Sequence, residues 1–195
     1  MILYHGSHSK ISRPDISYSR NDIDFGVGIY FTEDRKMATK WATKYNISWL
    51  NTYNADIDTN NDKIYVFTPN EEWLNYVAYN RGYTDKCSFD DSKYDIIIGP
   101  TADDKLFETL DDYFEGDISA EQAVKIINCM HYSNQIVVKN QKYLDSKVHI
   151  LDDKTKQITG KERQDYIDMF RQDSIEANKI ARDIRRSIIR GGGAR

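Results

Sequence analysis

Three side chains of different chemistry sit in or beside apolar, β-branched runs: His5 in ILYHGS, Tyr30 in GVGIYFT and Gln135 in NQIVVKN. An imidazole exchanges a proton near neutral pH, and a phenol offers a flat ring with a polar tip. A carboxamide both donates and accepts hydrogen bonds but cannot act as a general base. Gly26 and Gly28 have the spacing that opens a dinucleotide-binding loop, yet Phe31 stands where the third glycine belongs, so FGVGIYFT fails as a phosphate loop. Arg20, in the polar loop ahead of these glycines, matches phosphate oxygens bidentately, and Asp24 is placed to orient the same loop. Each residue also has a bland reading: a turn histidine, a core tyrosine, a solvated strand glutamine, a glycine bulge, a surface arginine. Metal chemistry is not expected. His8, His131 and His149 lack ligand spacing, Asp103 and Asp104 suit a helix N-terminus, and Cys87 and Cys129 form no CxxC pair and read as reduced thiols.

The elements that would hold these groups follow from periodicity. A chain of 195 residues with 39% hydrophobic and 30% charged content can bury one substantial core. Strands are expected at ILYHGS, ending in a turn at His5-Gly6, and at VGIYFT, KIYVF, YDIIIGP and NQIVVKN, with KVHIL as the last. Thr32-Glu33-Asp34 starts a helix whose Met37, Ala38, Trp41, Ala42 and Tyr45 share a face. Further helices are expected over residues 71–82, 102–114 and 120–130, while NTYNADIDTNND reads as turn-rich. Residues 160–190 form one long helix with a stripe of Tyr166, Phe170, Ala177, Ile180, Ala181, Ile184 and Ile188, which must be buried against the main domain or a partner. The class is α+β, organised as a domain over 1–153 and a helical extension over 154–195. A net charge of -4 argues against a broadly basic nucleic-acid binder, although from Ala181 onward five arginines face the single Asp183. Such a tail suits a helix C-terminus, or contact with RNA, DNA or an acidic protein. No apolar run is long enough to cross a membrane and no signal peptide is read, so the expected compartment is the cytoplasm.

In order along the chain, LYHGS, PDISYSR, DFGVGIYFT, EWLNYVAYNR, YDIIIGPTADD and SNQIVVKNQKYL resemble ADP-ribosyltransferases of the histidine-tyrosine-glutamate class, and more closely a bacterial family known only as a domain of unknown function with that fold. The resemblance runs from Leu3 to about Leu144. It implies two small sheets parted by a cleft for NAD, which is the co-substrate, with no metal. His5 would bond a ribose hydroxyl, and Tyr30 and Trp41 would hold the nicotinamide ring. Gly6 would offer main-chain groups to the nicotinamide amide, Ser7, Gly28 and Arg20 would complete the NAD contacts, and Ala38 replaces an amide-binding serine. Gln135 stands where the class has glutamate. It can accept from a hydroxyl but supplies no charge, so either turnover is slower or an acid elsewhere helps, and none flanks it in SNQIVV. The implied activity is single ADP-ribose transfer to a protein or nucleic acid, as a toxin or phage-defence effector with an antitoxin or other partner on the C-terminal helix. The alternatives are a non-catalytic NAD or ADP-ribose-binding module and an NAD glycohydrolase.

Overall fold

A strand that carries glycine can take a helix directly on its backbone, and the first strand does so at Gly6, near its end. The computed structural model of this chain describes residues 1–102, 106–128 and 133–192. Its strands are β1 (Ile2–Ser7), β2 (Ile29–Phe31), β3 (Ser48–Ala55), β4 (Ile64–Val66), β5 (Ile96–Pro100), β6 (Asn134–Val138), β7 (Val148–Ile150) and β8 (Lys156–Ile158). Its helices are α1 (Arg35–Thr43), α2 (Glu71–Asn80), α3 (Leu106–Phe114), α4 (Ala120–Ile127), α5 (Gln141–Lys147) and α6 (Gly160–Gly192). Asp103, Asp104, Cys129, His131 and residues 193–195 lie outside the described residues, as do the side chains of Ala177 and Arg190.

The result is a mixed α+β fold with two four-stranded sheets. In the first, β1 and β7 flank part of β3 and β8 pairs with its other end, all antiparallel. The second runs β2-β6-β5-β4, with β4 and β5 parallel. The sheets meet at one bridge, where the Tyr4 N–H donates to the Thr32 carbonyl at 2.8 Å and the Thr32 N–H to the Tyr4 carbonyl at 3.0 Å. An apolar layer backs this bridge: Leu3, Tyr53 and Ala55 of the first sheet pack with Phe31, Ile136 and Val138 of the second. The opposite face of the second sheet, with Ile97 and Val137, packs on Trp73 and Val77 of α2 and Val124 of α4.

Four readings change. NTYNADIDTNND begins inside β3, whose Asn51 and Thr52 are buried. Loops satisfy both: Asn51 accepts from Ile11 N at 2.9 Å, and Thr52 Oγ1 donates to the Lys154 carbonyl at 3.0 Å. Polar residues therefore hide a strand whose partners lie far away in sequence. KVHIL is not the last strand, because β8 follows it, and α5, capped by Asn140, precedes it. His5 lies within β1, which pairs with β3 through Ser7, rather than at its end. Tyr45 falls beyond α1, which starts when Asp34 accepts from Lys36 N at 2.8 Å and Met37 N at 3.2 Å.

The stripe on α6 finds its cover in the same chain. Tyr166 packs with Ala38, Ala42, Leu50 and Ile158, while Ala181, Ile184 and Ile188 join the core on the α4 side. Arg163 donates to the Tyr45 carbonyl at 2.6 Å just past the end of α1, and Arg185 pairs with Glu108 at 3.1 Å and Asp112 at 2.7 Å. One arginine of the basic tail is thus spent on acids of α3. No helix among the described residues is long and apolar enough to cross a membrane.

Candidate active site

His5 donates from Nδ1 to the Tyr30 carbonyl at 2.6 Å. A carbonyl can only accept, so the proton is placed on Nδ1 and Nε2 is left as an acceptor in the neutral ring. Burial lowers the pKa of this half-buried imidazole below its ordinary 6.5, the bond to Tyr30 opposes the shift, and the charge on His8 adds to it. Neutral His5 therefore stabilises the fold fully above about pH 6.5, and the contribution is lost as pH falls from there through the lowered folded value. In His5→Gln this acid-side loss is expected to flatten, as measured by urea unfolding between pH 5 and 7.

Gly6 follows. Tyr4 turns both backbone groups toward Thr32, so the alternation of an antiparallel strand turns those of Gly6 to the same edge. Among the described residues no strand pairs with β1 on that edge beyond the Tyr4–Thr32 bridge. Ser7 is occupied differently, its hydroxyl donating to the Ser9 carbonyl at 2.9 Å and accepting from Ser9 N at 3.0 Å to turn the chain.

Tyr30 stands opposite Val137 in the β2–β6 ladder, and Gln135 lies two residues along β6, so both side chains leave the same face. The Tyr30 hydroxyl closes the glycine loop by accepting from Phe25 N at 2.9 Å and donating to the Gly26 carbonyl at 2.8 Å. Burial, then the Asp24 carboxylate, hold this phenol far above its usual pKa. The two glycines that fail as a phosphate loop serve this closure. Gly26 has φ +65° with Asn80 Oδ1 2.5 Å from where a Cβ would stand, and a Cβ on Gly28 would meet Val137 at 2.6 Å.

Gln135 is 2% exposed, so the solvated-strand reading fails. Its amide nitrogen donates to Asp24 Oδ2 at 2.8 Å and to the Pro100 carbonyl at 3.2 Å. Asp24 also accepts from Ala102 N at 3.0 Å and, on its other oxygen, from Arg81 Nε at 2.9 Å and Nη2 at 2.5 Å. A buried carboxylate thus touches the amide of Gln135, which carries no charge of its own. The sequence reads Asp24 as orienting its loop and offers Arg81 only as the last residue of the phrase EWLNYVAYNR. Both residues lie in recognised phrases, but 57 positions separate them and no local pattern announces the pair.

The remaining site residues are less closely gathered. Arg20 is 70% exposed and 3.7 Å from Asp22, yet near enough for its charge to act on the Tyr30 hydroxyl. Trp41 packs with Ala38, Ala42 and Leu50, whereas Tyr30 packs on the cluster of Phe25 and Val137, so the two rings belong to different apolar clusters. A cavity of about 620 Å³ borders the glycine loop at Val27 and continues past Tyr79, Asp91, Tyr94 and Lys139, without reaching His5, Tyr30 or Gln135. Among the described residues no group of three or more His, Cys, Asp or Glu could hold a metal ion.

The fold and these contacts define a two-sheet α+β protein with histidine, tyrosine and glutamine gathered near the junction of its sheets. The model of a family described as protein of unknown function (DUF3990) matches residues 1–149, and the chain belongs to that family. No curated protein and no solved structure matches it.

Proposed function

We propose that the chain is an NAD-dependent mono-ADP-ribosyltransferase, with the junction of the two sheets as its NAD cleft. The observation that carries this reading is the convergence of three distant segments: β1 brings His5 to the Tyr30 carbonyl, and β2 and β6 present Tyr30 and Gln135 from one face. In the reaction the bond between ribose C1′ and the nicotinamide nitrogen breaks, and its electron pair leaves with neutral nicotinamide. A nucleophile of the acceptor gives a pair to C1′ and loses its proton to solvent. The ribose ring passes through an oxocarbenium-like state, so rate is gained by groups that favour that state over bound NAD. Neutral His5 would accept from a ribose hydroxyl at Nε2, Gly6 would meet the nicotinamide amide with its main chain, and Tyr30 would support the ring. Arg20 and Trp41 would have to close toward the ligand. Gln135 disfavours chain elongation, which must also activate an acceptor hydroxyl. A cytoplasmic toxin or defence effector, neutralised by a partner protein, fits this activity by analogy.

One observation favours a second reading, an NAD or ADP-ribose-binding module without turnover: Gln135 is 2% exposed with its amide nitrogen bonded to two internal acceptors. Incubation with adenine-labelled NAD and a lysate, followed by separate protease and nuclease digestion, distinguishes the cases. Label fixed to macromolecule, with nicotinamide released, is the expected result. Free ADP-ribose alone means hydrolysis, and no release means a binding module. His5→Ala is expected to abolish release, and unchanged release would remove His5 from the site.

A further inference from the structure

Gln135 faces a reaction that develops positive charge, and an amide has no charge to set against it. We propose that Asp24 is the positioning residue that supplies this influence through Gln135, an inference that rests on the transferase reading above. Asp24 is 3% exposed and its Oδ2 accepts from Gln135 Nε2 at 2.8 Å. Pro100 takes a second bond from the same nitrogen at 3.2 Å. Two acceptors on Nε2 fix which way the amide points and leave Oε1 as the atom able to accept from a ribose hydroxyl. An N–H bonded to a carboxylate pushes electron density through the amide toward Oε1, and low surrounding dielectric strengthens that polarisation. Arg81 holds the other oxygen of Asp24, which keeps the carboxylate in place. The arrangement also accounts for glutamine itself. A glutamate at 135 would set a second carboxylate against Asp24 and the Pro100 carbonyl, with no donor between them.

The test is nicotinamide release from NAD by the full chain, with kcat and KM read separately and thermal midpoints measured alongside. Asp24→Asn is expected to lower kcat by roughly ten- to a hundredfold, the worth of one charge-assisted hydrogen bond, with KM held within about twofold. Asp24→Asn combined with Arg81→Gln removes the ion pair as a pair and preserves a hydrogen-bonded contact. It is expected to lose kcat to the same extent at a wild-type midpoint. Adding Gln135→Glu to Asp24→Asn reverses donor and acceptor in the same contact and returns a carboxylate, so kcat is expected to recover. Wild-type kcat in the doubly neutral variant, or a loss that Gln135→Glu does not repair, overturns the role of Asp24 and leaves the transferase reading standing. A wild-type chain that releases no nicotinamide overturns both.

Discussion

Arg81→Met is expected to destabilise the fold by about 3–5 kcal/mol, read as a fall in denaturant midpoint at constant slope. The arginine sends Nε and Nη2 to one oxygen of Asp24, whose side chain is 4% exposed. Removing it leaves a carboxylate in the protein interior with two neutral donors, Ala102 N–H and the Gln135 amide. Desolvation of that charge is no longer offset, and the cost falls on the folded state. Adding Asp24→Asn to Arg81→Met removes the orphaned charge, and most of the lost stability is expected to return. A midpoint that hardly moves in Arg81→Met would show that water reaches Asp24.

The second large effect lies on the other side of the sheet junction. Gly6→Ala is expected to destabilise by about 3 kcal/mol or more, the upper range for overpacking. The added methyl would stand 2.0 Å from the Ala38 carbonyl oxygen and 2.5 Å from Ala42 N, both backbone atoms of α1. No side-chain rotation relieves that contact, so the helix must shift. Because α1 also carries Trp41 and the Lys36 side of an ion pair with Asp173, the shift extends to α6. Thermal unfolding measures the cost, and an unchanged midpoint would mean that α1 slides without loss.

The strands that carry His5, Tyr30 and Gln135 were legible because each is a β-branched or aromatic run bounded by turn residues, and α1, α2 and α4 because their apolar spacing and caps agree. β3 was not legible. Its Asn51 and Thr52 look like loop residues until the loops that satisfy them are in place, and those loops come from residues 9–11 and 154–155. β8 has three residues and α5 seven, too short for periodicity to speak. Within the site, strand pairing explains why His5 and Tyr30 meet. The link from Gln135 to Asp24 and on to Arg81 depends on how the loop after Arg20 folds back over β6, which is a property of packing and not of spacing. The same limit applies to Tyr30 and Trp41, which pack in different apolar clusters that sequence spacing does not announce.

The family match stops at residue 149, ahead of α6, yet that helix spends its apolar stripe on both sides of the molecule, at Leu50 and Ile158 near one end and on the α4 side near the other. An expression fragment trimmed to the matched region would bare greasy surface in two separate places and would be prone to clump. Anyone preparing this protein for assay should keep the last helix attached.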